Sequence, residues 1–520
     1  MAKTAAMTVK MTSYDDRWAP ALARMWNDSD EAWPGGFSGG VPFDADRIKE
    51  WMESRDSVAI NLAVDRDHVI GFCELVERPD DPEILYVAIL NVTPTCHGKG
   101  VGKMLLKWCV EKTCDLGYSR LDLDTWSGNM KAVPLYKKIG FFWRPDTSVK
   151  MENYIPAIMA TPYGKRFFAQ HSWYGTQVRN LRVEEDEQEW QGMKSYTYRW
   201  EVGSEFLEAV VDREARRIAA IKTPTLEASC RVSKQDATFG SDREARIGLL
   251  ATEQTGATPG QVTIITTGDD GINCSSRHTV DTTGGQAVEL TTAVTLSPEA
   301  RVKEDNQPAH RLEAQFIMGE DVFTLAAGIR VKEPVTIDLP VEQRSVALGQ
   351  SRDIAFTLRN DRDEAVTGVI GLTGCSSLGV DPSETDFSLD PYGELAIPVT
   401  LRGTDKGGVY ALKAYVIVTA IAGRGIEKPL RRSLKTFHLR AMAFGQVLGE
   451  LEGEAAVVET QNYRLEVAEK GGTVKVLDKH TGQVLCGQTL ALVPPSWPNE
   501  LRETKHQLSM ASAEGEGGAI

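Results

Sequence analysis

The sequence predicts a multidomain chain, with an N-terminal α/β domain followed by all-β sandwich domains. Three observations predict it. A strand, a glycine-spaced turn and a helix follow one another between Glu83 and Phe142. Ten of the eleven tryptophans lie at or before position 200, so the chain changes character there. Beyond that point short alternating runs rich in Val, Thr and Gly are punctuated by turn residues every ~8–12 positions, which is β-sandwich texture.

The central stretch opens with the apolar run Ile84 to Val92 and stops at Thr93-Pro94. His97-Gly98-Lys99-Gly100-Val101-Gly102-Lys103 follows and leads into a run with apolar residues at 101, 105, 106, 109 and 110, one face of a helix. This order builds an anion site. Bare N–H groups at a helix N-terminus point outward, the dipole favours negative charge, and glycines let a phosphate approach the main chain. The spacing excludes a P-loop, because no Gly-Lys-Ser/Thr follows at the required distance. It also excludes the dinucleotide fingerprint, because Gly98-x-Gly100-x-Gly102 is not Gly-x-Gly-x-x-Gly.

The pattern resembles the phosphate loop of the GNAT family of N-acetyltransferases, Gln/Arg-x-x-Gly-x-Gly/Ala, with His97 in the place of Gln/Arg. A second block agrees. Asn129-Met130-Lys131-Ala132-Val133-Pro134-Leu135-Tyr136, with Gly140-Phe141 after it, is similar to the family's Asn-x-x-Ala-x-x-Leu-Tyr and Gly-Phe. Asn129 suits a helix N-cap, Pro134 the first turn and Gly140 the stop. The resemblance covers about residues 8–155 and implies a mixed central sheet flanked by helices. It also implies acetyl-CoA as cofactor and direct transfer of acetyl to a primary amine in a ternary complex.

The same resemblance assigns the site. The loop residues His97, Gly98, Lys99, Gly100, Val101, Gly102 and Lys103, with Asn129, are expected to hold the coenzyme. The strand Leu90-Asn91-Val92 is expected to pair with its pantetheine arm and polarise the thioester carbonyl. Tyr136 is the expected acid toward the CoA sulfur, and it also reads as a half-buried helix tyrosine. Glu83, at the head of the central strand, is the expected base, with Glu74 and Tyr86 as lesser candidates; an exposed strand-end carboxylate is its other reading. Cys96 has no His/Asp arrangement to activate it and reads as a loop cysteine. Asp28, Asp30, Glu31 and Trp33, in the loop after the first helix, would suit an amine cation, and equally an ordinary solvated loop.

Composition narrows the alternatives. A net charge of −15 argues against nucleic acid as a partner, since phosphate contacts need clustered Lys and Arg. The eight cysteines form no Cys-x-x-Cys pair, so no metal is expected and a reducing compartment is. No apolar run nears the ~20 residues of a membrane span. The first residues are too polar for a signal peptide, so a cytoplasmic protein is expected.

Taken in order, the chain reads as an acetyltransferase-like domain at 1–156, then a connector with a small β-region at 157–235. Two immunoglobulin-like sandwiches follow at 236–332 and 333–440, and a last β-region at 441–520 looks incomplete, so the natural chain is expected to run past Ile520. The β-domains would bind or position a carbohydrate or a protein. The other reading of the whole is a non-catalytic CoA-binding head on a β-rich binding protein.

Overall fold

The computed structural model describes all residues except 1–7, 31–37, 39, 80, 126–127, 145–148, 180–187, 240–242, 252–259, 283–284, 286, 298–299, 304–306, 374–377, 444–446, 489–506 and 509–520. The chain divides into two compact units, residues 1–237 with 241–331, and residues 238–240 with 332–520. No helix among the described residues is long and apolar enough to cross a membrane.

The first unit opens with β1 (Val9–Ser13), α1 (Ala19–Ser29), α2 (Ala45–Glu53), β2 (Ser57–Asp65), β3 (His68–Arg78) and β4 (Asp81–Val92). It continues with α3 (Val101–Asp115), β5 (Arg120–Asp124), α4 (Val133–Ile139), β6 (Phe142–Trp143) and β7 (Lys150–Asn153). The seven strands form one sheet in the order β1-β2-β3-β4-β5-β7-β6. All neighbours are antiparallel except β4 and β5, which run parallel.

Alternation along the strands sends side chains to two separate cores. One face carries Leu62, Phe72 and Ile89 against α1 and α2, with Trp26 fully buried and edge-on to Phe43, Trp51 and Phe72 at 4.9–5.2 Å. The other carries Leu75, Leu85 and Val87 against Leu105, Leu106 and Cys109 of α3. Local chemistry sets the ends. Asp44 caps α2 by accepting from the Arg47 amide at 2.9 Å. Gly140 ends α4 at φ 105°, and a Cβ there would meet Ile155 Cδ1 at 2.6 Å.

The expected boundary at 156 is crossed by packing, and that at 235/236 falls inside one nine-stranded sheet. That sheet takes strands from Gln177–Val178 through Val288–Leu296, and a five-stranded sheet accompanies it. The apolar core of α3 and β5–β7 continues without a break into these sheets. The reason is an aromatic stripe on the strand Met193–Val202, where Tyr196, Tyr198 and Trp200 alternate onto one buried face. Phe142 stacks on Tyr196 at 4.7 Å, and the Tyr196 hydroxyl donates to the Trp143 carbonyl at 2.7 Å. Surface that a free-standing domain would leave to water is here interior.

In the second unit, a four-stranded and a five-stranded sheet over 335–442 share one core, with Phe356 and Phe437 at 5.4 Å. Five further strands from Leu448–Glu452 to Val484–Gln488 form an antiparallel meander. It includes a hairpin across Lys470-Gly471-Gly472. Buried charges tie the meander to the strand Arg424–Met442. Glu459, fully buried, accepts from Arg464 at 2.6 Å and lies 3.0 Å from Arg440.

Candidate active site

The parallel pairing of β4 with β5 is short. It joins Ile84 to Arg120, Leu85 to Leu121 and Tyr86 to Asp122, and there it ends. Among the described residues β4 stays paired from Val87 to Val92 to β3 alone, so its other edge faces a gap. The register shifts there too: Glu74 faces Ile89 and Leu75 faces Val87, leaving Ala88 as an extra residue. Leu90, Asn91 and Val92 lie on this unpaired stretch, opposite Cys73, Phe72 and Gly71.

The glycine loop stands at the end of the gap. Gly100 precedes α3 at φ 85°, a conformation that costs an L side chain about 1–2 kcal/mol. Among the described residues no hydrogen bond engages the amides of Gly98, Gly100, Val101, Gly102 or Lys103, and the space before Gly98 is open. The Lys99 amide differs from the expectation, because it donates back to the Cys96 carbonyl at 3.3 Å. The His97 ring turns back to the strand, with Nε2 at 2.8 Å from the Val92 carbonyl, so it braces the loop and does not line it. The Lys103 ammonium lies over the Tyr174 ring at 5.6 Å.

Helix α4 closes on this loop. A Cβ at Gly102 would stand 3.1 Å from Leu135 Cδ2, so the glycine admits the next helix. Asn129 caps the approach: its Oδ1 accepts from the Ala132 amide at 3.2 Å and its Nδ2 donates to Thr125 Oγ1 at 3.1 Å. Tyr136, 9% exposed, packs edge-on to Phe141 at 6.0 Å. Burial pushes its hydroxyl up to about 12, so it keeps its proton at neutral pH.

The sheet face away from α3 holds the acidic groups. Glu74 is fully buried; Arg55 Nε donates to its Oε1 at 2.7 Å and Ser57 Oγ at 2.5 Å, while Oε2 has no partner. The Asn91 Nδ2, also buried, has none either. Their strand positions, Glu74 beside Ile89 and Asn91 beside Phe72, set both on this face next to the extra residue Ala88. Further along β4 and β5, Tyr86 and Asp124 line a cavity of about 180 Å³. Burial and the Asp124 charge raise the Tyr86 hydroxyl above its ordinary value.

Glu83 does not fit the role expected of it. It forms an ion pair with Arg217 and lies 3.4 Å from Arg311. Burial pulls its carboxyl upward, but the two guanidiniums outweigh that and hold it below the usual range, which weakens it as a base. Of the acceptor-loop residues, Asp28 is exposed on α1 and Asp30 accepts from the Ser38 amide at 2.5 Å. Glu31 and Trp33 lie outside the described residues. Sequence reasoning passed over the cavity, although its signal was present: Arg120-Leu121-Asp122-Leu123-Asp124 alternates charged and apolar residues in a strand buried on both sides.

Residues 22–141 match the Acetyltransferase (GNAT) family. This segment is a GNAT acetyltransferase domain. Mycothiol acetyltransferases of Salinispora arenicola and Salinispora tropica are 34% and 33% identical to the chain over 131 residues. The match spans 24% of this chain and 41% of each relative, so the chain spans less than half the length of either. Among solved structures, an N-acetyltransferase from Staphylococcus aureus Mu50 is 17% identical with a TM-score of 0.24, over 28% of this chain and 95% of its own. The PaiA N-acetyltransferase from Thermoplasma acidophilum, in complex with coenzyme A, is 18% identical with a TM-score of 0.22, over 28% and 99%. GNAT proteins use acetyl-CoA, and the open amides at 98 and 100–103 with the unpaired edge of β4 fit that coenzyme.

Proposed function

We propose that this chain is an acetyl-CoA-dependent N-acetyltransferase that acts on a small primary amine by direct attack in a ternary complex. The observation that carries this is the end of the β4–β5 pairing at Tyr86, followed along β4 by the open amide loop, with the buried Glu74 carboxylate on β3 opposite Ile89. Bound acetyl-CoA supplies an activated acetyl thioester. The amides of 98 and 100–103 hold its phosphates at the start of α3. The Leu90–Val92 edge of β4 orients the pantetheine arm and offers an N–H to the carbonyl oxygen. Glu74 Oε2 accepts the amine proton, while Arg55 and Ser57 keep the carboxyl in place. Tyr136 holds the proton that the departing sulfur takes up.

The remainder of the chain is read more simply. Its paired sheets, each pair around a common core, are proposed to be β-sandwiches, immunoglobulin-like over 335–442 and placed to bind or position a partner. A cytoplasmic location is proposed with them. The test is thermal unfolding of the full chain with acetyl-CoA. At about 100 times Kd the coenzyme adds ~2.7 kcal/mol and raises the first transition by several degrees. Gly100→Glu should abolish that shift, and amines should release free thiol in the wild type alone. Coenzyme binding with no thiol release from a broad amine panel would instead support a non-catalytic head.

A further inference from the structure

The surface beside the amide loop is completed by residues outside the acetyltransferase segment 22–141. Lys103 and Lys107 stand four residues apart near the start of α3, so they share one face with about 6 Å of rise between them. Both ammoniums converge on the ring of Tyr174, at 5.6 and 5.5 Å from its centre. The Lys107 ammonium also lies 6.0 Å from the ring of Trp173. Glu111, one turn beyond Lys107, has the spacing of an ordinary helix ion pair. It is engaged elsewhere, because its Oε1 accepts from Trp173 Nε1 at 2.9 Å. Among the described residues neither lysine has a carboxylate partner.

The turn that presents Tyr174 is pinned on several sides. Trp200 Nε1, on the strand Met193–Val202, donates to the Trp173 carbonyl at 2.6 Å. The amides of Gly175 and Thr176 return to Ser172 at 3.1 and 3.0 Å. Arg179 Nε donates to the Lys138 carbonyl of α4 at 2.6 Å, its Nη2 donates to the Tyr174 carbonyl, and its guanidinium lies 4.4 Å from the Tyr174 ring. An aromatic ring from the connector is thus fixed against α3 with three cations around it, directly beside the open amides.

On the reading above, those amides hold the pyrophosphate of the coenzyme, and the pantetheine arm leaves along β4. The nucleoside must leave on another side, and CoA carries a further phosphate on the 3′ oxygen of its ribose. A phosphate monoester bears close to two negative charges at neutral pH. The step from Lys103 to Lys107 is comparable to the span of one ribose. An ammonium resting on an aromatic face keeps donors free for an anion, and a charged donor and acceptor make the stronger hydrogen bonds. We propose that Lys103 and Lys107, positioned by Tyr174, bind the 3′-phosphate of CoA. The connector turn from Ser172 to Arg179 then makes the acetyltransferase selective for the phosphorylated coenzyme. This rests on the acetyl-CoA reading of the loop.

The test is calorimetry on the full chain with CoA and with 3′-dephospho-CoA, which differ in that phosphate alone. CoA should bind at least about tenfold more tightly, and the ratio should narrow between about 50 and 500 mM salt as the charges are screened. Lys107→Gln should bring the ratio to within about threefold and leave the affinity for dephospho-CoA unchanged. Tyr174→Leu should lower the ratio in the same direction, while Tyr174→Phe, which keeps the ring, should retain it. A ring that served packing alone would change the affinity for both ligands together and leave the ratio as it was. Equal affinities in the wild type, or a wild-type ratio in both Lys107→Gln and Tyr174→Leu, overturn the proposal and leave the coenzyme reading standing. No binding of either ligand would defeat both.

Discussion

Arg55 Nε donates to Glu74 Oε1 at 2.7 Å, while the second oxygen of the same fully buried carboxylate meets no hydrogen-bond donor among the described residues. On the reading proposed above, the oxygen left bare is the one that takes the proton of an arriving amine. It also stands beside the extra residue in β4, where the pairing of β4 with β5 has already ended.

Replacing Glu74 by Gln keeps the shape and removes the basic oxygen. Turnover at neutral pH should fall by about 100-fold, within the range of a general base, with coenzyme affinity unchanged. The fall should shrink as pH rises and more of the amine is free. Thiol release measured from pH 6 to 10 checks this, and wild-type turnover in the variant would leave Glu74 a structural anion only.

Tyr136 is protonated across the working range, because burial pushes it up to about 12. Tyr136→Phe should lower kcat by at least about tenfold and leave the acetyl-CoA melting shift intact. The ring packing against Phe141 is preserved in that variant, so a simple packing role predicts no change in rate.

Glu83 is read as an anchor between β4 and the two arginines that follow it by more than a hundred residues. Its carboxyl is depressed in the folded state, so its stabilisation is present above the unfolded value of 4.5 and is lost as pH falls through the lower folded value. Glu83→Gln should melt earlier than wild type at pH 7, and the two should converge toward pH 3. Turnover at neutral pH should be within about twofold of wild type. A large kcat loss with an unchanged melting temperature would restore it as the base.

The Tyr198 hydroxyl accepts from the Tyr154 amide at 3.0 Å and donates to the Gly140 carbonyl at 2.9 Å. Both groups are buried, so Tyr198→Phe strands a donor and an acceptor and should cost about 2–4 kcal/mol. Urea unfolding should show the loss in the transition of the first unit. Equal stability would mean that the aromatic stripe packs there without holding the acetyltransferase domain.

Much of the α/β domain was legible because its signals are local. The apolar residues at 21, 22, 25 and 26 and at 48, 51 and 52 have helical spacing in the sequence, and they lie on α1, Ala19–Ser29, and α2, Ala45–Glu53. The stop at Gly140 and the position of Pro134 near the start of α4 could be read from single residue types. The β-region was less legible. Tyr196, Tyr198 and Trp200 alternate as a strand should, but alternation states only that one face is buried and not what covers it. Their cover proved to be the acetyltransferase domain, so a boundary drawn from composition cut through a continuous core.

By itself the sequence determined the glycine loop, the order of strands and helices around it, and the family to which that stretch is similar. These depend on backbone conformations and spacings within a few turns of chain, which each residue type biases directly. Only the tertiary structure decided that Glu83 is held by Arg217 and Arg311, that Glu74 keeps one oxygen bare, and that Arg216 closes a cavity under β5. The strength of a charge pair and the burial of a side chain depend on distance through space and on the removal of water. Neither is a function of separation along the chain.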